Sequence, residues 1–222
     1  QIFFKIAIKA WEDIFLNLLN YYPLKQKQEI GETAKPRPRK IVEGLPQNIL
    51  QKEVSGLSGE HKILDYKEYS VFCANSDDIP NVLHEIGRLR EITFRQVEEG
   101  TGNDIDLDEY DDSYLHLFIW NNEKSEIVGA YRMGEVDKLV REDKSKLYTS
   151  NFYEFDDEFL KSHESALEMG RSFIRQEYQR KPFSLLLLWR GICGYIAKNP
   201  KYKYLFGAVS MSDEYDPCSR AL

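Results

Sequence analysis

The sequence predicts an α/β domain built on a mixed, mostly antiparallel sheet flanked by helices, and three observations carry that expectation. Stretches of alternating apolar residues and stretches of helical apolar spacing succeed one another from about residue 61 onward. Two alternating runs flank Asn122-Glu123-Lys124, the pattern of an antiparallel hairpin. A strand, a short turn, a helix and another strand then follow between Ala166 and Met211. With 42% hydrophobic and 13% aromatic residues, the 222-residue chain can also bury a core of one ordinary domain plus an appendage.

Taken in order, residues 2–22 place Phe4, Ile8, Trp11, Phe15, Leu18 and Tyr22 at helical spacing with lysines between them. This predicts an amphipathic helix, packed on a domain or lying at a membrane surface. The prolines of KPRPRK (35–40) forbid a helix and mark a basic linker, so residues 1–60 read as an appendage and 61–222 as the domain. Residues 61–74 suit one bent strand or a hairpin. The stretch from Asp77 to Gly100 suits a helix with an aspartate cap. The hairpin of 113–133 comes next, then loop and helix to about 163. A strand at 166–174, a helix at 182–198 and a strand over KYLFGAVSM complete the order.

Composition excludes several classes. A net charge of -7 argues against a general nucleic-acid binder, which carries a basic footprint. Cys73, Cys193 and Cys218 form no CxxC pair, which leaves zinc and disulfide frameworks without support and points to a reducing compartment. No run approaches the roughly 20 apolar residues of a membrane span, and no cleavable leader is evident. The expectation is a cytoplasmic protein, with peripheral contact at the inner membrane face left open. A first residue Gln1 and a last stretch DPCSRAL read as a fragment of something longer.

Four stretches could carry chemistry. RLREITFR offers Arg88, Arg90, Phe94 and Arg95 on a helix, and DIDLDEYDD crowds Asp106, Asp108 and Asp111 into a loop. GAYRM places Arg132 at a strand end, and LEMGRSFI sets Glu168 three residues before Arg171. The acidic loop lacks the glycine and terminal glutamate of an EF-hand, so no metal is assigned. Its carboxylates are expected to pair with the arginines, because an unpaired cluster would raise its own pKa values. Strand alternation puts Leu167, Met169 and Arg171 on one face and Ala166, Glu168 and Gly170 on the other. A glutamate in an apolar strand is costly unless paired or useful, so Glu168 reads as a structural partner of Arg171, as a general base, or as both. The four histidines show no triad pattern, and His116 reads as packed rather than catalytic.

Together RLREITFR, DLDEYDD, YLHLFIWN, IVGAYRM, LEMGRSF, LLLLWRGI and YLFGAVSMS resemble the ornithine-lipid synthase group of GNAT-type N-acyltransferases, often catalogued as haemolysins. The likeness runs from about residue 68 to the C-terminus and is carried by ordered motifs. It implies a GNAT-like fold whose terminal strands would follow Leu222. Some members of that group carry a preceding acyltransferase domain, which would make residues 1–60 a connector. A more distant similarity to acyl-homoserine-lactone synthases covers Arg90, Phe94, Asp106, Asp108, Asp111, Arg132, Glu168 and Arg171. The tryptophan those synthases keep after the first helix is absent, which counts against a lactone product.

The resemblance implies transfer of a fatty acyl group, often 3-hydroxylated, from acyl carrier protein to the α-amine of a small amino acid such as ornithine or glycine. That is a first step of aminolipid synthesis and needs no cofactor. It also implies roles: Glu168, Arg171 and Arg132 at the chemistry, and Asp106, Asp108, Asp111, Arg90 and Phe94 around the acceptor. The turn before the 182–198 helix supports the donor. Acetyl-transferring GNAT enzymes cradle a pyrophosphate there with a glycine-rich loop, whereas this chain reads QRKPFS. Proline supplies no N–H, while Arg175, Arg180 and Lys181 form a basic rim suited to an acidic carrier protein. Two other readings remain at this point: an autoinducer-type synthase, and a non-catalytic module that docks a carrier protein or a membrane.

Overall fold

The computed structural model describes residues 25–26 and 38–208 of the chain, and the helix expected over 2–22 lies outside them. Six strands form one sheet: β1 (Lys62–Tyr66), β2 (Tyr69–Asn75), β3 (Leu115–Asn121), β4 (Glu126–Glu135), β5 (Ala166–Ile174) and β6 (Tyr204–Phe206). They lie side by side in chain order. Every pairing is antiparallel except β5 with β6. The longer helices are α1 (Gln47–Gly56), α2 (Pro80–Arg95) and α6 (Pro182–Lys198). Three short ones are α3 (Val136–Glu142), α4 (Asp157–Ser162) and α5 (Gln176–Gln179). This is the expected α/β layout, a mostly antiparallel sheet flanked by helices.

Alternation on the strands fills two layers. Tyr69, Val71, Cys73, Leu117, Ile119 and Leu167 turn toward Leu187, Leu188 and Ile192 of α6. Phe72, Ala74, Phe118 and Trp120 turn the other way, onto Val82, Ile86 and Leu89 of α2. Leu50 and Val54 of α1 join that second layer, so residues that the sequence reading assigns to the appendage pack in the domain core. Glu53 of α1 also accepts hydrogen bonds from the amides of Asn81 (3.0 Å) and Val82 (2.6 Å). A carboxylate from another helix thus caps α2. The expected aspartate cap is absent: Ile79 stands at the cap position, with Pro80 opening the helix. The helix also stops at Arg95 rather than running to Gly100.

Two irregularities matter for the site. Parallel pairing of β5 with β6 ends at Glu168 opposite Phe206 among the described residues, so the edge of β5 beyond Met169 has no partner there. Between β4 and β5 the register slips: Arg132 faces Gly170, but Ala130 faces Phe173. Arg171 and Ser172 therefore oppose Tyr131 alone, a β-bulge, and Arg171 takes φ 51°.

Candidate active site

The bulge decides where Arg171 goes. Plain alternation would send its side chain with Leu167 and Met169 toward α6. The extra residue and left-handed backbone instead bring its guanidinium to the acidic loop, 3.6 Å from both Asp106 and Asp108. That corrects the face assigned from the sequence. The Glu168–Arg171 pair considered from the sequence does not form: Arg171 pairs with Asp106 and Asp108, while Glu168 accepts from Tyr114, Tyr148 and Thr149.

The loop itself is fixed from α2. Glu91, fully buried, accepts from the amides of Thr101 (3.0 Å) and Gly102 (2.9 Å), which anchors the loop's start. One residue earlier on the helix, Arg90 is 1% exposed. It donates in a bidentate fork to the two oxygens of Asp111 at 2.9 and 2.8 Å, and to the carbonyl oxygen of Asp106. Arg132 donates to Asp108 at 2.5 Å and lies 3.3 Å from Asp111. Burial alone would raise the Asp111 pKa, but the Arg90 hydrogen bonds and the Arg132 charge hold it down to about 2.

Asp106 contrasts with it. Burial pushes its pKa up and outweighs Arg90 and Arg171, whose nitrogens stand 3.6 Å from its Oδ2. That oxygen has no hydrogen-bond partner among the described residues, and neither does Nε of Arg171. One acceptor and one donor on oppositely charged side chains 3.6 Å apart are thus buried without a hydrogen-bond partner among the described residues, groups whose charges match those of a zwitterion. Phe94, expected at the acceptor, packs against the α2 core layer instead.

Three tyrosines complete the site. Tyr110, Tyr114 and Tyr148 place their rings 5.2–5.7 Å from the Arg132 guanidinium carbon, and Tyr148 also lies 5.5 Å from that of Arg171. The sequence displayed Tyr110 and Tyr114 within EYDDSY, but only the fold could bring in Tyr148. Tyr110 is also shared with a cavity of about 710 Å³ lined by Lys144, Lys146, Asn151 and Tyr153. None of the cluster's arginines or aspartates lines it.

Glu168 holds Tyr148 in place. Its oxygens accept from the amides of Thr149 (2.7 Å) and Tyr148 (3.1 Å) and from the Tyr114 hydroxyl. Its 2% exposure and occupied lone pairs give it a positioning task rather than that of a free base. Glu168→Gln is expected to cost about 1–3 kcal/mol, because the new amide N–H₂ cannot accept from these donors. Hydrogen exchange should speed up at Tyr148 and Thr149 specifically.

His116, buried beneath the loop, donates from Nε2 to the carbonyl of Asp111 at 2.9 Å, and burial lowers its pKa to about 4. A depressed folded-state pKa contributes stability that is present above the unfolded value and lost as pH falls. His116 should therefore release on the order of 3 kcal/mol between about pH 6.5 and 4, and Asp111 about 2 kcal/mol more between about 4 and 2. Denaturation midpoints measured across this range should fall in two stages.

The basic rim is narrower than expected. Arg175 donates to Glu126 and Glu177, both at 2.9 Å, so its charge is already matched. Arg180 and Lys181 remain exposed. At the start of α6, Pro182 offers no N–H and the Ser184 amide is bonded to the Lys181 carbonyl at 3.1 Å. Among the described residues no group of His, Cys, Asp and Glu is placed to hold a metal ion, and no helix is long and apolar enough to cross a membrane.

The mostly antiparallel sheet, the edge of β5 that has no partner among the described residues beyond Glu168, and the helix that follows it fit a GNAT-type fold, and residues 89–190 match the family model described as "Acetyltransferase (GNAT) domain". Two relatives are named glycine N(alpha)-acyltransferase. That of Phocaeicola vulgatus is 36% identical over 79% of this chain and 57% of its own length. That of Bacteroides thetaiotaomicron is 38% identical over 65% of this chain and 47% of its own length. The chain thus spans about half the length of the curated relatives it matches. A solved aminoglycoside acetyltransferase from an uncultured soil metagenomic sample aligns over 69% of this chain and 88% of its own. Its TM-score of 0.43 and 14% identity are too loose to bear on any residue.

Proposed function

We propose that this chain is the catalytic domain of an N-acyltransferase that moves a fatty acyl group from a carrier-protein thioester to the α-amine of glycine or a similarly small amino acid. The observation that carries the reading is the buried arginine–aspartate cluster, whose Asp106 Oδ2 and Arg171 Nε have no hydrogen-bond partner among the described residues, on the strand whose edge beyond Glu168 is likewise unpaired among them. The family match and the names of the two relatives support the reaction class and the acceptor. The resemblance to ornithine-lipid synthases supports an aminolipid as the product.

In this mechanism the thioester enters along the edge of β5 beyond Glu168, which has no strand partner among the described residues. Arg171 takes the acceptor's carboxylate, and Asp106 takes its ammonium and removes a proton from it. The freed amine nitrogen attacks the thioester carbon; the C–N bond forms, the C–S bond breaks, and the thiolate leaves with the carrier, taking up through solvent the second proton that the nitrogen sheds as it becomes an amide. An N–H of the Gly170–Phe173 segment, released from regular pairing by the bulge, receives the developing oxyanion. Arg180, Lys181 and a helix start without a glycine cradle favour a carrier protein over coenzyme A as donor. Arg132, buried under three tyrosines, shapes the cluster from below.

The test is direct. Full-length protein is incubated with acyl carrier protein or coenzyme A thioesters and with glycine, serine or ornithine, and N-acyl products are read by mass spectrometry. Acylated glycine formed faster from the carrier-protein thioester is the expected result. No amide with any acceptor would refute the reading, and a clear preference for coenzyme A would refute the donor.

A further inference from the structure

A glycine inside a strand loses more entropy than other residues and packs nothing, so it needs a reason. Other sheet glycines have one. A β-carbon at Gly134 would lie 2.5 Å from the Tyr114 ring, and one at Gly129 would lie 2.5 Å from the Phe173 carbonyl oxygen. Gly170 has none of this kind. Among the described residues a β-carbon there would meet nothing within 4 Å, and its φ lies outside the left-handed range. Neither its backbone nor its neighbours demand glycine.

Its position suggests what does. Gly170 sits directly opposite Arg132 and immediately before Arg171. It lies two residues beyond the last β5–β6 pair. Directly opposed residues share a face of the sheet, so the empty space lies on the face that carries the charged cluster. It also borders the edge of β5 that has no partner there.

We infer that the space over Gly170 seats the acceptor's α-carbon, which makes Gly170 the position that sets how large an acceptor the site takes. This rests on the N-acyltransferase reading above. Arg171, the next residue along the strand, is at hand for the acceptor's carboxylate, and the Asp106 oxygen that lacks a hydrogen-bond partner among the described residues lies 3.6 Å from that guanidinium, at hand for its amine. An acceptor without a side chain fits the space that the missing β-carbon leaves.

The test measures KM for acceptor and donor separately, in full-length protein carrying Gly170→Ala or Gly170→Leu, with glycine, alanine, serine and ornithine as acceptors. With Gly170→Ala the KM for glycine should rise about tenfold or more, one methyl group's worth of crowding, while the donor KM stays put. With Gly170→Leu transfer should vanish, and both variants should unfold no earlier than wild type. Unchanged acceptor KM in folded Gly170→Ala protein overturns the inference and leaves the reading standing. A change confined to the donor KM also overturns it, because the space then belongs to the thioester. A wild-type protein that acylates none of the four overturns both.

Discussion

Arg90→Met should be the most damaging single change to stability, costing about 3–5 kcal/mol. The guanidinium is buried and spans the Asp111 carboxylate and the Asp106 carbonyl. Without it Asp111 would remain buried as an anion with Arg132 at 3.3 Å and one backbone amide as its remaining partners. A loss of that size is a large part of the roughly 5–15 kcal/mol that holds a typical domain folded. Urea unfolding followed by tryptophan fluorescence measures it. The paired variant Arg90→Met with Asp111→Leu should recover most of the loss, since the stranded charge is removed with its partner. A cost under about 1 kcal/mol for the single variant would mean that water reaches the cluster.

Asp106→Asn should do the opposite: leave stability unchanged or slightly raised while cutting kcat/KM about 100-fold or more. The sign follows from linkage. The Asp106 pKa is raised on folding, so the folded state holds the extra proton and stability falls as pH rises through that value. Asparagine mimics the protonated form and escapes this cost at neutral pH. It cannot take a proton from the acceptor's ammonium, and the acid limb of the wild-type pH–rate profile should disappear with it. Wild-type kcat/KM in the variant would place the base elsewhere. Together the two substitutions separate the parts of the cluster that hold the fold from the part that strains it, the usual distribution at a functional site.

Much of this is legible in the amino-acid sequence. The strand pattern on either side of Asn122-Glu123-Lys124 and the apolar run into 182–198 gave the sheet and α6 with nearly their observed bounds. The residues of the cluster were also visible as residue types, because a loop so rich in aspartate needs arginines nearby. Their assignments within the cluster were not. Alternation alone misplaces Arg171, since a bulge adds one residue and turns the side chain to the other face. Arg175, which looked free in the sequence, spends its charge on Glu126 and Glu177. Glu168, which looked like a base, is occupied by amides some twenty residues away.

The amino-acid order by itself determined the fold class, because periodicity and turn chemistry act between near neighbours along the chain. Tertiary structure alone decided which carboxylate is satisfied and which keeps an oxygen without a hydrogen-bond partner, and that no described residue stands over the β position of Gly170. Those properties depend on burial and on partners far apart in sequence, where a shift of one residue in register exchanges the two faces of a strand.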